Sequence, residues 1–582
     1  YFIEIDVIPL TRNGKVDGSA LPSPVVKGRG DYILPRGSIE KKVAAIWAEV
    51  LGVNREIIGI DSNFFELGGH SLKATVVVLK IHRELEVKLP LEEFFNKPFI
   101  REIARYIERA LGEKFEHIEG AEKKAYYPLS PGQKRLYIQQ QKVKDNISYH
   151  IPFASTWEPD MDVKRFEAAI KRLIERHESL CTSFRLVDGE PVQVIHDVVP
   201  FAIEHIEKKS AGTGSGEEEE NLEELLNDFI RPFDLSRAPL FRVGIIAAKG
   251  GEKILIIDIH HIITDGTSQE ILKQELKELY RGEELPPLRI QYKDFTEWQN
   301  MWLAPGRIEK QEKFWLDEFP GEIPLLNLPL NFPRPSRLYF EGSSLGFLLD
   351  KRETEILREM ALSEGVTMFM ALLSIYYLFL SKLSRNEDII VGTAVSSRRH
   401  EDLQKVIGFF VNTLALRNFP RGENTFKEFL HEVKERTLKA FENQDYPLET
   451  LVDKLAVNRV PNRNPLFDVM FALQNFNAEL LDTAAVEGGD RYIRTVPIKH
   501  ARTSKFDLLL IAAEGKHQLI FTLEYNMKLF LGKTVERFVK YFKEIVTSVC
   551  DNIHRGIRLK DIKISHDFYN KKIDNPQIDF GF

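Results

Sequence analysis

Apolar residues recur at helical spacing in three stretches near the start of the chain. The first stretch follows Ser38, which can act as an N-cap, the second begins at Ser71 and the third begins at Ile100. A short apolar segment, Leu91–Phe95, lies between the last two. Together these stretches predict a small all-α four-helix bundle over residues 37–111. The other apolar positions expected to face its core are Val43, Ile46, Trp47 and Val50, then Leu72, Val76 and Leu79, then Ile103, Ile107 and Leu111.

From Tyr126 onward, helical patterns alternate with short apolar runs that are typical of buried strands. This alternation predicts a mixed α/β architecture, which we expect to form two lobes over residues 126–300 and 301–565. The clearest helical patterns are Phe166–His177, Ser268–Tyr280, Glu353–Glu364, Met368–Leu383 and Phe426–Glu442, and the clearest strand patterns are Val192–Ile195, Ile254–Ile259, Ile389–Val391 and Gln518–Tyr525.

Three segments lack a sustained apolar period and are interpreted as linkers. Residues 1–36 include a run rich in Gly and Pro, residues 112–125 are mostly polar, and residues 566–582 follow the last predicted element. Because the chain begins with Tyr1 and not with Met, we expect it to be a piece cut from a longer protein.

Composition narrows the class of protein further. The 582 residues carry 80 Lys and Arg against 87 Asp and Glu, a net charge of −7, so we expect no nucleic-acid partner. Two cysteines, Cys181 and Cys550, are too few for a disulfide framework, which favours a cytoplasmic location. No apolar run is long enough to span a membrane and no signal peptide is evident, so we expect no membrane partner.

The sharpest local motif precedes the second helix and reads Asp61-Ser-Asn-Phe-Phe-Glu-Leu-Gly-Gly-His-Ser71. Its aromatic residues can anchor a loop, its two glycines permit an unusual backbone path, and Ser71 begins an amphipathic helix. A hydroxyl at a helix amino terminus is well placed to carry a phosphate ester, because free N–H groups and the helix dipole favour negative charge there. The simpler interpretation is that Ser71 is only an N-cap after a glycine turn.

A pair of histidines follows a predicted buried strand in the sequence Ile254-Leu-Ile-Ile-Asp-Ile-His260-His261-Ile-Ile-Thr-Asp265-Gly266. Thr267 and Glu270 then form a capping-box pattern that opens the next helix. A metal site is one alternative, but ligands at this spacing do not obviously face one point, so no metal is predicted. A second alternative is that both histidines are purely structural, with their polar atoms satisfied by neighbours in the core. Acid–base chemistry is the interpretation that we favour.

Both motifs resemble those of nonribosomal peptide synthetases. The first resembles the attachment site of peptidyl carrier domains, and the second resembles the signature of condensation domains, whose two α/β lobes are similar in fold to chloramphenicol acetyltransferase. The resemblance implies 4'-phosphopantetheine bound covalently to Ser71, His261 facing the acceptor amine, and His260 and Asp265 holding the turn. Further condensation-domain motifs recur in the expected order at Ser130–Tyr137, Arg176–Phe184, Tyr292–Trp298, Val391–Arg398, Gly408–Thr413 and Arg463–Phe471.

The same resemblance implies a set of partners. The arm on Ser71 would present an aminoacyl or peptidyl donor, and the acceptor would be the aminoacyl thioester on a downstream carrier domain. An upstream adenylation domain and a phosphopantetheinyl transferase would load the carrier. Residues 9–17 resemble the final motif of adenylation domains, so residues 1–36 are expected to be a remnant of one, in which Lys15 has no site to complete.

One departure from the family pattern affects the site. Cys181 stands where condensation domains usually have an Arg that can pair with the motif aspartate, so Asp265 is expected to rely on Arg398, on another cation or on backbone donors. We expect His261 to orient the amine and accept its proton, with the Gly266 N–H as a candidate donor to the oxyanion. Two alternatives are an epimerase-like domain, which usually lacks the residue equivalent to Gly266, and a degenerate domain that only recruits a partner.

Overall fold

The structure is a computed structural model in which the chain forms two compact units, residues 1–115 and 116–582. It describes residues 33–110, 115–142, 147–157, 162–206, 224–226, 228–247, 253–304, 306–455, 460, 462–474, 494–495, 503–515, 518–552 and 555–565. Lys15, most of the expected adenylation remnant and the C-terminal linker lie outside these residues.

The first unit is the predicted small helical bundle. Its helices are α1 (Ser38–Leu51), α2 (Ser71–Leu85), α3 (Leu91–Asn96) and α4 (Ile100–Arg109), with a 3₁₀ turn at Arg55–Ile57. The core centres on three aromatic rings: Phe64 lies 5.0 Å from Trp47 and 5.0 Å from Phe94, both edge to face. Large buried aromatic rings of this kind supply much of the packing energy of so small a domain.

Three details of this bundle differ from the sequence expectations. Gly37, not Ser38, is the N-cap of α1, and the Glu40 carboxylate accepts the Gly37 N–H at 3.1 Å. The buried stripe of α2 is Ala74, Val77 and Ile81, while Val76 and Leu79 are only partly buried. The apolar residues of α2 are almost continuous in sequence and so do not define a unique helical face. For this reason, helical periodicity predicted the wrong set of core-facing residues. Helix α4 ends at Arg109, and Leu111 lies outside the described residues.

The second unit is mixed α/β, as predicted. Three sheets have the strand orders β1-β4-β3, β12-β2-β7-β6-β5 and β10-β9-β11-β13-β14-β8. The strands are β1 (Tyr127–Pro128), β2 (His150–Trp157), β3 (Thr182–Val187), β4 (Glu190–Ile195), β5 (Glu204–Ile206), β6 (Phe241–Ala247), β7 (Lys253–His260), β8 (Gly342–Leu348), β9 (Ile389–Ser396), β10 (Val411–Asn418), β11 (Val469–Gln474), β12 (Arg494–Thr495), β13 (Leu508–Glu514) and β14 (Leu519–Asn526).

Helices cover these sheets and coincide closely with the predicted helical patterns. They are α5 (Pro131–Lys142), α6 (Val163–Arg176), α7 (Gly266–Arg281), α8 (Tyr292–Trp302), α9 (Glu309–Glu318), α10 (Lys351–Ser363), α11 (Met368–Ser384), α12 (Phe426–Glu442), α13 (Leu448–Lys454) and α14 (Gly532–Asn552). Short 3₁₀ turns occur at Glu178–Cys181, His261–Ile263, Glu401–Leu403 and Leu559–Asp561.

The five-stranded sheet belongs to the first lobe and the six-stranded sheet belongs to the second, but the lobes share a strand. Strand β12 comes from the sequence of the second lobe and pairs antiparallel with β2 of the first, with Arg494 opposite Thr156. A segment from the second lobe thus completes one edge of the sheet of the first lobe.

Three properties of the described residues bear on function. Cys181 and Cys550 are both free and buried. No group of three His, Cys, Asp or Glu side chains is arranged to hold a metal ion in the part of the chain that the structure describes. Within the same residues, no single helix is long and apolar enough to cross a membrane, and α10 and α11 meet that criterion only as a pair bent by 111°.

Candidate active site

The loop before Ser71 is built around Phe64. The Gly69 N–H donates to the Phe64 carbonyl at 3.0 Å, and a Cβ placed on Gly69 would lie 2.3 Å from the Phe64 ring. Gly68 has a φ of +90°, in the left-handed region that favours glycine. These two glycines therefore let the chain pass close against a buried ring and turn directly into α2.

Ser71 is the first residue of α2, and the N-cap is His70. The Nδ1 atom of His70 accepts the Lys73 N–H at 3.4 Å, so the N-cap interpretation of Ser71 is wrong. Burial, reinforced by the Lys73 charge, lowers the pKa of His70 to about 4. The first backbone N–H groups of a helix have no partner within the helix, so the start of α2 suits a phosphate ester.

His261 lies where β7 ends and a 3₁₀ turn begins, and its ring is held in one orientation. Its backbone N–H donates to the Tyr149 carbonyl at 2.8 Å, and its Nδ1–H donates to the Thr264 carbonyl at 2.7 Å. The ring also meets Phe409 edge to face, with 5.1 Å between ring centres. Since Nδ1 carries the hydrogen, the lone pair of the neutral imidazole is on Nε2.

The surroundings of His261 keep its imidazole neutral. Burial and, to a smaller extent, the charge of Lys505 lower its pKa to about 4, although the Thr264 carbonyl and the charge of Asp265 act to raise it. The side chain is nevertheless partly exposed to solvent. At neutral pH, His261 therefore offers an uncharged nitrogen that can accept a proton.

His260 is fully buried and faces away from solvent. Its Nδ1 accepts the Ile262 N–H at 3.1 Å and so caps the 3₁₀ turn that carries His261. Burial, with the neighbouring charges of His150, His261 and Lys505, holds the pKa of His260 well below its usual value. The geometry of His260 is that of a residue that shapes the turn.

Asp265 is buried between the lobes, and both a cation and backbone N–H donors hold its carboxylate, as the sequence suggested. As N-cap of α7, it accepts the Ser268 N–H at 2.7 Å, and its other carboxylate oxygen accepts the Phe410 N–H at 3.0 Å. The Arg398 Nη2 lies 3.3 Å from Oδ1. Asp265 thus takes the capping position expected for Thr267.

Arg398 is itself fixed within the second lobe. Its Nη1 donates to the carbonyls of Leu403 and Val406, each at 2.6 Å, and its guanidinium lies 3.9 Å from the centre of the Phe410 ring. Cys181 makes a separate contact, in which its Sγ donates to the Ile174 carbonyl at 3.3 Å. Arg398 is thus the cation that pairs with Asp265.

Gly266 is the first residue of α7, immediately after the Asp265 N-cap, and is partly exposed. The structure brings His260, His261, Asp265 and Gly266 together in one turn. Sequence reasoning missed Tyr149, which lies just before β2, and Lys505, which lies just before β13. Lys505 lies in the sequence Ser504-Lys-Phe-Asp507, whose single lysine before a strand carries no distinctive spacing.

Comparison with known proteins agrees with this geometry. Residues 123–573 match the condensation domain family, and residues 41–107 match the phosphopantetheine attachment site. The chain therefore belongs to the condensation domain family and also carries a phosphopantetheine attachment domain. This confirms the resemblance to a peptidyl carrier and condensation pair.

The relatives are large synthetases. Bacitracin synthase 3 of Bacillus licheniformis is 43% identical over 580 residues, which are 99% of this chain and 9% of that protein. Tyrocidine synthase 3 of Brevibacillus parabrevis is 43% identical over 551 residues, 94% of this chain and 8% of that protein. The chain thus spans less than a tenth of the length of either relative.

Solved structures support the fold. The condensation domain from the monacolin K polyketide synthase MokA superposes with a TM-score of 0.64 and 20% sequence identity, covering 75% of this chain and 99% of that domain. At this identity the comparison shows a shared fold, in agreement with the predicted two-lobed α/β architecture.

Proposed function

We propose that this chain forms a peptide bond in nonribosomal peptide synthesis. Residues 37–111 act as the peptidyl carrier and residues 126–565 as the condensation domain, divided into lobes near residue 300. A phosphopantetheinyl transferase modifies Ser71, and an upstream adenylation domain supplies the amino acid. The acceptor is the aminoacyl thioester on a downstream carrier. The two unpaired cysteines support a cytoplasmic location.

The position of Ser71 at the start of α2 supports its assignment as the attachment residue. The end of the helix attracts negative charge, and Lys73 on the same turn adds a cation whose Nζ donates to the Gly68 carbonyl at 3.4 Å. The 4'-phosphopantetheine arm supplies the thioester whose C–S bond breaks as the acceptor amine forms the new C–N bond. Ser71 is an anchor and takes no part in that exchange.

The observation that carries the enzymatic proposal is the neutral, oriented imidazole of His261. Its Nδ1–H is fixed on the Thr264 carbonyl, so Nε2 accepts the proton that the attacking amine loses. General bases contribute about 10²- to 10⁴-fold in rate when their pKa lies near the operating pH. Because the pKa of His261 is lowered to about 4, its contribution should lie at the lower end of that range. Holding amine and carbonyl together contributes at least as much, because a bimolecular encounter becomes an intramolecular step.

The other residues of the turn have supporting roles. His260 caps the turn from inside, Asp265 fixes the start of α7 and links it to the second lobe, and the Gly266 N–H lies at the amino end of that helix. Neither Asp265 nor His260 is proposed to exchange a proton with substrate, because both are buried.

The experiment that tests this function is single-turnover peptide formation between the loaded chain and a separately supplied aminoacyl carrier, read by mass spectrometry. We expect the wild-type chain to transfer its donor, Ser71→Ala to gain no phosphopantetheine mass, and His261→Ala to load normally but to transfer slowly. Transfer by His261→Ala at the wild-type rate would contradict its role. A wild-type chain that loads and binds another protein but never transfers would favour the recruiting module instead.

A further inference from the structure

A lysine from the second lobe, Lys505, lies against Tyr149, and its charge acts on the candidate base of the first lobe, His261. Lys505 lies just before β13, and its Nζ lies 4.2 Å from the centre of the Tyr149 ring. The carbonyl of the same tyrosine accepts the backbone N–H of His261 at 2.8 Å. Tyr149 therefore touches both residues, and the lysine charge acts on the imidazoles of His260 and His261.

The backbone of Lys505 is anchored on both sides. Its N–H donates to the Glu524 carboxylate, and its carbonyl accepts from the Asn464 Nδ2 at 3.2 Å. The next residue, Phe506, stacks on Phe467 with 5.9 Å between ring centres. The Lys505 side chain thus extends from a fixed point, as electrostatic stabilisation of a reaction requires.

Among the described residues, no carboxylate forms a hydrogen bond or an ion pair with the ammonium group of Lys505, whose Nζ lies over the Tyr149 ring. The charge of Glu524 acts on it from a longer distance. Nearby charges are already engaged: Arg135 pairs with Glu449 at 3.1 Å, and Glu524 accepts the Lys505 N–H. Burial and the charge of Arg135 lower the pKa of Lys505 to about 8, against the charge of Glu524, which raises it. At neutral pH Lys505 is therefore largely charged and without a hydrogen-bonded carboxylate near the candidate base, where an oxygen acceptor would compensate its lost hydration.

We propose that Lys505 is a catalytic residue whose ammonium group donates a hydrogen bond to the carbonyl oxygen of the donor thioester. This inference rests on the proposed function. When the amine adds, the carbonyl π electrons move to that oxygen, and Lys505 stabilises the negative charge. When the C–S bond breaks, the carbonyl re-forms, the departing thiolate takes the proton that His261 accepted from the amine, and the Lys505 ammonium group keeps its own proton. The sequence suggested the Gly266 N–H as the donor to the oxyanion. The charged Lys505 ammonium group acts as a donor in addition to that N–H, or in its place.

The first test compares single-turnover rates of three variants of the loaded chain. We expect Lys505→Met to lower the rate about 10²- to 10³-fold, as loss of one oxyanion donor does, and Lys505→Arg to restore much of it. Lys528→Met is the matched control, since Lys528 lies in the same lobe and pairs with Glu341 at 2.9 Å. Thermal unfolding of all variants checks that each is folded.

A second measurement does not depend on activity. In the chain labelled with ¹³C-histidine, with the His261 signal assigned by its loss in His261→Ala, we expect Lys505→Met to raise the pKa of His261 and Lys505→Arg to leave it low. A folded Lys505→Met chain that keeps its rate within threefold overturns the proposal, as does a slower one that Lys505→Arg does not relieve. Absence of transfer by the wild-type chain counts against the proposed function instead.

Discussion

Arg398 and Asp265 form a buried ion pair across the two lobes, with 3.3 Å between Nη2 and Oδ1 and side chains 4% and 5% exposed. Removing one member of such a pair leaves an uncompensated charge in the interior. We therefore expect Arg398→Met to lower the free energy of unfolding by about 3 to 5 kcal/mol and to slow transfer, because the turn beside His261 loses its anchor. Chemical denaturation and single-turnover rates measure the two effects.

The control for this pair is Arg352, which pairs with Asp551 at 2.8 Å on the surface, with side chains 68% and 48% exposed. Arg352→Met should change stability by no more than about 1 kcal/mol, since exposed pairs contribute little. Equal effects of the two substitutions would mean that the buried pair contributes no more than a surface pair.

The pH dependence of transfer should follow the acceptor amine. Because the pKa of His261 is lowered to about 4, its neutral form is present above that pH and is lost only as pH falls through it. An α-amine titrates at about 7.7 to 8.0, so we expect the rate to rise above pH 6. We expect it to level off and then fall as pH rises through about 8, where the Lys505 ammonium group loses its proton. Acceptors whose amines are less basic should shift this rise to lower pH. A rise centred near 6.5 that is the same for every acceptor would show that His261 titrates normally.

Gly69→Ala should damage the carrier unit. The new Cβ would lie 2.3 Å from the Phe64 ring and 2.6 Å from its carbonyl oxygen, so the loop or the ring must shift. Overpacking of this kind costs about 1 to 3 kcal/mol, and we expect slower phosphopantetheine transfer to Ser71 along with lower stability. Gly37→Ala is the control, because its nearest neighbour would be 3.9 Å away. Normal loading and stability of Gly69→Ala would contradict the observed packing.

Restoring the arginine that the family usually has at position 181 should not improve this protein. Cys181 is 7% exposed, and Asp265 already has Arg398 as its cation. A second guanidinium would be buried without a free carboxylate, so Cys181→Arg should destabilise the second unit. Cys181→Ala should cost less, because it loses only a small buried side chain and the weak hydrogen bond from Sγ to the Ile174 carbonyl. Thermal unfolding distinguishes them, and an unchanged or higher melting temperature for Cys181→Arg would disprove this account.

Local sequence patterns were sufficient to predict most helices and strands and the turn that carries His260 and His261. The run Ile254–Ile259 predicted β7, and the spacing of His260, His261 and Asp265 predicted a single turn, because neighbours in sequence are neighbours there. Helical periodicity likewise placed Ser71 at a helix start. It failed for the buried face of α2, where adjacent valines fit more than one stripe.

Contacts between distant segments had no comparable signal. Lys505 reaches Tyr149 from more than three hundred residues away, and nothing in its own neighbourhood indicates that contact. Arg398 was one of several candidate partners for Asp265, and only the packing of the second lobe selects it. The choice of His70 over Ser71 as N-cap likewise depends on side-chain geometry that residue type alone does not decide.

The strand shared between the lobes has a consequence for synthesis of the protein. Strand β2 is translated early, yet its partner β12 at Arg494–Thr495 is made more than three hundred residues later. Domains usually fold in order as they leave the ribosome, but here the five-stranded sheet keeps one edge open until most of the second unit has been made. A nascent chain stopped before residue 494 should therefore expose the edge of β2 to chaperones that bind incompletely folded proteins.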